Sequence, residues 1–357
     1  MVNTHAGGAV LSTDKITMKE VARLSGVTIG TVSHVIHGTA SISEETKQRV
    51  LKVIEQTGYT LDPMAGYMRS KRSHIIGLLI PDLNNYFFSK CASVLIGLAY
   101  NSGYTVMILE NGNSPDKERE NIQILQRNKA DAVITMCGLL TAADYLPFLK
   151  ENKPVLLADQ VTDNPDVLNI TYDNQKIMHE IIGHLQKAGY TRIGFMSESL
   201  QRTNLKTRYD AYIQELENAG LVHYPGYDFI SDLLCMDHMY NGYMYMNRLL
   251  ETHDRATLPE VIVTSADMIA IGCMRALKEH GMSVPDDMAL IGWDDQDISS
   301  FVSPRITTVG QHQDRLAEKI WEMMEARLQD SNRDSSGRLV LEQTFIVRES
   351  CLEARNP

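Results

Sequence analysis

The sequence predicts an α/β chain: a small all-helical head, then a long body of parallel sheets flanked by helices. Two patterns carry this. Residues 17–56 fit three short amphipathic helices with tight joints. From Ser73 onward, short apolar runs alternate with helical segments, as in repeated strand–helix–strand units.

The head begins at TMKEVARLSGVTIGTVSHVIHG, residues 17–38. Helix one is expected from Thr17 to Leu24. Thr17 caps it, Glu20 completes a capping-box pattern, and Met18, Val21 and Ala22 share one face. Gly26 supplies the turn. Thr28 is the expected N-cap of helix two, which buries Val32, Val35 and Ile36. Ile29, Gly30, Ser33, His34 and His37 fan out on the other side. A third helix, Ser43 to Gln56, adds a stripe of Val50, Leu51 and Ile54. This is the form of a helix-turn-helix that lays its second helix in the DNA major groove. Many Gly-turned helix pairs bind no DNA, but charge favours it here. Residues 15–73 hold nine Lys/Arg and five Asp/Glu, a formal +4; taking that from the chain's −11 leaves −15 on the rest. A basic head on an acidic body suits phosphate neutralisation.

Next comes LDPMAGYMRSKRSH, residues 61–74. Asp62-Pro63 reads as a helix start. A helix ending near Arg69 is too short to stand alone, and Gly66 weakens it. Met68 beside Arg69, Lys71 and Arg72 has the composition of a minor-groove wedge; a solvated linker is the plainer reading.

In the body, strands are expected at Ile75–Ile80, Thr105–Leu109, Ala132–Met136, Val155–Ala158, Val167–Thr171, Arg192–Met196, Val261–Thr264, Met288–Ile291 and Thr307–Val309. A last strand, LVLEQTFIV, follows the polar loop 331–337. About 285 residues exceed one such sheet, which implies two lobes. Ligands then bind beyond the carboxyl ends of strands, in the cleft between lobes. Strand ends offer Phe87 and Phe88, Cys137, Asp159, Asp173, Arg202, Asn204, Arg208 and Trp293-Asp294. Helix core is the alternative reading of the phenylalanines.

Together these stretches resemble the lactose-repressor/galactose-repressor (LacI/GalR) family of bacterial transcription regulators. The resemblance runs from about Thr17 to the last strand. Its most specific pieces are the helix-turn-helix, SEETKQRVLKVIEQTGY, IIGLLIPD and VPDDMALIGWDD. It implies a two-lobed body like that of periplasmic binding proteins, and a homodimer on a pseudo-palindromic operator. By position, Ile29, Gly30 and His34 read bases, Thr28 and Ser33 contact phosphates, and Met68 is the wedge. The chain departs from the family pattern at Ile29 and Gly30, which offer no side-chain hydrogen bond, and at His34, His37, Gly66 and Met68. The resemblance also puts Phe87 and Phe88 at the cleft and makes Arg208 and Asp294 the main effector contacts. Asp159, Asp173, Arg202, Asn204 and Asp267 are further candidates that also read as turn or cap residues. Carboxylates and a planar guanidinium suit vicinal hydroxyls, so a sugar is the expected effector, with a purine, nucleoside or sugar phosphate as alternative.

The expected organisation is a disordered tail at 1–15, the helix-turn-helix at 16–60, a hinge at 61–73 and the effector and dimer domain at 74–357. Within it the N-lobe takes about 74–161 and 295–325, and the C-lobe about 162–294 and 326–357. Composition at 43% hydrophobic and 22% charged fits a soluble globular protein, and no run is long enough to span a membrane. No signal-peptide pattern is read. Five scattered cysteines fit a reducing cytoplasm and give no zinc spacing. No Gly-rich phosphate loop or nucleophile elbow is present, so neither an enzyme nor a cofactor is expected. A two-lobed solute-binding protein is the rival class, and the basic head argues against it.

Overall fold

The computed structural model describes residues 16–37, 40–59, 72–329 and 337–352, leaving out the side chain of His37. The expected tail, hinge 61–71, Met68, Arg69 and polar loop 331–336 lie outside the described residues. The chain divides into two compact units, residues 1–73 and 74–357.

In the first unit, helices span Met18–Ser25, Ile29–His37 and Glu44–Thr57. Thr17 Oγ1 accepts from Glu20 N at 3.3 Å. The Glu20 carboxylate turns instead to Arg23, whose Nη2 lies 2.6 Å away, so this half of the capping box goes to an i,i+3 ion pair. Gly26, at φ +67°, ends the first helix with its N–H on Ala22 O and Arg23 O. Thr28 Oγ1 accepts from Thr31 N at 3.1 Å and starts the second helix. Val21, Ala22, Val32 and Val50 form the core, with Met18, Val35, Ile36, Val53 and Ile54 against it. Leu51 is exposed, contrary to expectation. It stands 100° round from Val50, and Val53 takes its place at i+3.

The second unit holds two lobes. The N-lobe sheet has strand order β11-β5-β4-β3-β1-β2, all parallel. Its strands are β1 (Ile75–Ile80), β2 (Thr105–Glu110), β3 (Ala132–Met136), β4 (Val155–Ala158), β5 (Leu168–Tyr172) and β11 (Arg338–Leu341). The C-lobe sheet has order β7-β6-β8-β9, also parallel: β6 (Ile193–Ser197), β7 (Asp228–Ile230), β8 (Val261–Thr264) and β9 (Ala289–Ile291). β10 (Thr308–Gly310) pairs antiparallel with β12 (Thr344–Ile346) and bridges to the end of β9. Buried runs such as IIGLLI and VIVT suit strands covered on both faces.

The lobe bounds differ from those expected. β5 and β11 complete the N-lobe sheet. Residues 295–311 stay with the C-lobe, where Ile306 and Val309 enter its cores. Helix Gln313–Gln329 packs in the N-lobe core with helix Tyr86–Asn101. Among the described residues the chain therefore crosses near 173, 312 and 343. The expected last strand splits, because Val340 pairs with β5 while Phe345 pairs with β10. Sheet-edge strand β7, only three residues long, carried no periodicity to read.

Candidate functional site

Two surfaces carry the candidate residues. On the second helix of the head, Thr28, Ile29, Gly30 and His34 are exposed and Ser33 is half-buried. Ile29 is 47% exposed, an apolar side chain that the head itself does not bury. The Thr28 hydroxyl is engaged in capping.

The other surface is the cleft between the lobes. Sharp turns after β3, β4 and β9 build it. Cys137, Asp159 and Asp294 all have positive φ, at 50°, 48° and 105°, and each stands one to three residues past its strand. Non-glycine residues rarely hold this conformation, and it clusters at binding sites. Helix Thr203–Asn218 brings Asn204 and Arg208 up from the C-lobe. Arg208 Nη2 lies 3.2 Å from Asp159 Oδ2. Asn204 Nδ2 donates to the same oxygen at 2.8 Å, and the Cys137 thiol donates to it at 3.5 Å. The guanidinium lies 4.6 Å over the buried ring of Trp293. Gln311, with its amide nitrogen toward Asp294, donates to Oδ1 at 2.8 Å and accepts from Arg208 at 3.3 Å.

Phe87 and Phe88 line the cleft from the N-lobe as an edge-to-face pair, 5.3 Å between centroids, and also enter the core. Both readings of these rings therefore hold. Arg202 lines the cleft as well. Two other expected contacts stand elsewhere. Asp173 accepts from Lys176 N at 2.9 Å as the N-cap of helix Asn174–Lys187. Asp267 is sealed behind the wall, accepting from Gln296 N at 2.7 Å and Thr308 Oγ1 at 2.5 Å. It ties the turn bearing Asp294 to β10 and is a structural residue.

Sequence reasoning missed Glu198, His238, Ser265 and Gln311, which also line the cleft. Glu198 Oε1 lies 3.0 Å from His238 Nε2, and Oε2 accepts from Ser265 Oγ at 2.8 Å. Glu198 directly follows β6 and was legible as a strand end. His238 heads a helix reached through an irregular segment, and no pattern marks it.

Charges are set by burial and neighbours. Burial, then the nearby Asp267, hold the Asp294 carboxyl well above the usual carboxylate range, against the pull of Arg208. Burial alone would raise Glu198, but His238, Arg202 and Ser265 bring it down to about 2. Burial and the Asp159 charge keep the Cys137 thiol protonated, hence unreactive. Such a wall can grip a small polar molecule; it holds no activated nucleophile. Among the described residues no group of three or more ligating side chains could hold a metal ion, and no helix is long and apolar enough to cross a membrane.

Comparison with known proteins agrees with this architecture. Residues 17–62 match the family described as bacterial regulatory proteins, lacI family, and residues 182–351 match the periplasmic binding protein-like domain. The chain is 29% identical over 345 residues to the HTH-type transcriptional repressor PurR of Mannheimia succiniciproducens, covering 94% of this chain and 98% of that one. It is 28% identical to the repressor of the same name in Haemophilus influenzae strain PittEE, with the same coverage. Among solved structures, the Lac repressor dimer bound to operator and the anti-inducer ONPF superposes with a TM-score of 0.79 at 20% identity, covering 94% and 99% of the two chains.

Proposed function

Because the chain belongs to the LacI/GalR family of transcriptional regulators, DNA-binding repressors rather than enzymes, we propose that it is an effector-controlled repressor acting as a homodimer on a pseudo-palindromic operator. The head reads DNA through Ile29, Gly30 and His34, with Ser33 and Thr28 on phosphates and His37 at the end of the reading face. Met68 and Arg69 serve the minor groove. The exposed apolar turn carrying Ile298 and Phe301, the latter 84% exposed, supports a subunit contact.

The effector occupies the interlobe cleft, and its class is a sugar. The observation that carries this is the convergence of Asp159, Asp294, Arg202 and Arg208 beside one aromatic wall. Carboxylates and guanidinium together bracket adjacent hydroxyls, and an aromatic face suits a pyranose ring. A purine or nucleoside is the second reading, favoured by the Phe87–Phe88 pair as a stacking surface. Binding changes operator affinity only if the two lobe arrangements differ in their affinity for the effector.

Thermal unfolding against sugars, sugar phosphates, nucleosides and purines tests the assignment. A ligand at a hundred times its Kd should stabilise the fold by about 2.7 kcal/mol. A hit among purines alone would replace the sugar assignment. Deleting residues 1–60 should abolish operator binding, and operator affinity that survived this deletion would rule out the head as the reading unit.

A further inference from the structure

A second cavity, of about 530 Å³, opens between the lobes on the far side of the Asp159–Asn204 pair, which stands in both walls. Its wall is rich in amides and hydroxyls, including Asn174, Asn204, Thr171, Thr207 and Gln214, and no Lys or Arg is among its lining residues.

Two buried amides in this wall have fixed orientations. The Thr207 hydroxyl donates its single proton to Asn204 O at 2.9 Å. It must therefore accept from Asn174 Nδ2, also at 2.9 Å. Asn204 Nδ2 faces the Asp159 carboxylate, which accepts only. Neither amide can be turned round without losing its nitrogen's acceptor. Asn174 Oδ1 and Asn204 Oδ1 are then left as acceptors without a hydrogen-bond partner, in side chains that are 8% and 4% exposed. Buried acceptors without a donor are uncommon in folded proteins.

We propose that this hinge-side cavity is a second binding site, for a small neutral polyol whose hydroxyls donate to these two amide oxygens. The wall's carboxylates are already engaged: Asp159 with Arg208, Asp210 with Lys206, and Asp173 with the backbone of its helix. What the wall lacks is neutral donors, not counter-charge. The volume lies within the range of small-molecule pockets. A molecule here touches Asn204, which holds Asp159, which holds Arg208, so its binding is linked to the cleft.

The test is calorimetric titration of the full-length protein with ribose, glucose, myo-inositol and maltose, and with spermidine as a cationic control. Variants Gln214→Trp, at the exposed rim, and Asn174→Leu block this cavity; Arg202→Ala alters only the cleft. Their unfolding midpoints are checked first. The expected result is a polyol whose Kd weakens at least tenfold in both cavity variants and less than threefold in Arg202→Ala. If every panel member that binds responds only to Arg202→Ala, the cleft reading stands and this proposal falls. Binding by spermidine alone overturns the ligand class. No binding by any member, or binding indifferent to both cavity variants, leaves the wall to water and overturns the site.

Discussion

Arg208 of one lobe stands 3.2 Å from Asp159 of the other, and the two side chains are 4% and 3% exposed. An ion pair this sealed contributes little net stability as a pair, because both charges have left water. Breaking it by removing one partner is different. Asp159→Ala strands a buried guanidinium and should destabilise the body by about 3–5 kcal/mol. Asp159→Asn keeps an oxygen acceptor for Arg208 and Asn204 and should cost less. Urea unfolding followed by tryptophan fluorescence reports this directly, since Trp293 lies under the guanidinium. Equal losses in the two variants would mean that charge plays no part.

Asp267 makes stability depend on pH. Burial lifts its carboxyl from the model-compound 3.8 to about 7, and its hydrogen bonds from Thr308 and Gln296 only partly offset this. With the folded pKa above the unfolded one, the native state holds the extra proton between about pH 4 and pH 7. Stability is therefore highest below that window and falls as pH rises through it, by up to about 4 kcal/mol as an upper bound. Asp294, raised for the same reason, acts in the same direction. In denaturant unfolding from pH 4 to pH 8, Asp267→Asn should be less pH-sensitive than the parent. An unchanged slope would show that Asp267 is ionised throughout.

The head and the strand order of the N-lobe were legible because periodicity is local. Three capped helices and runs such as IIGLLI announce themselves within a dozen residues. The lobe crossings were not legible, because whether β5 pairs with β4 or turns away is decided by partners far along the chain. The same limit governs the site. Asp159, Arg208 and Asp294 could be found as strand ends and family positions. Asp267 carries the same type of side chain at a similar strand end, yet faces inward, where a Cβ on Gly292 would come within 2.1 Å of its carboxylate. His238 lay in a segment without pattern. Sequence reading found the residues that family position marks and missed those placed only by packing.

Gly272 and Gly242 let two C-lobe helices, His238–Thr252 and Asp267–Glu279, meet backbone to backbone. A Cβ on Gly272 would lie 2.1 Å from Met239 O and 2.7 Å from Tyr243 N, and rigid backbone cannot yield as a side-chain tip can. Gly272→Ala should destabilise the body by about 3 kcal/mol, the upper part of the overpacking range. It should also displace His238, which heads the same helix, and so weaken effector binding. A melting temperature within a degree of the parent would show that the helices part easily.

Gly30 presents the opposite case. A Cβ there meets only Thr28 Oγ1, at an ordinary 3.6 Å, and the residue lies inside the helix Ile29–His37. Nothing in the head requires glycine, which costs a helix about 1 kcal/mol relative to alanine. If the position exists for close approach to base edges, Gly30→Ala should raise the unfolding free energy of the head by about 0.5–1 kcal/mol. It should at the same time weaken binding to the best operator. His34→Ala, on the same exposed face, should cost about 1–3 kcal/mol on that operator and relax preference at one base pair. The measurement is operator affinity at fixed salt across single-base variants, beside thermal unfolding of the isolated head. Gly30→Ala that stabilises the head and binds operator as tightly as the parent would remove Gly30 from the reading face. A loss with His34→Ala that is equal on every sequence would assign His34 to a phosphate.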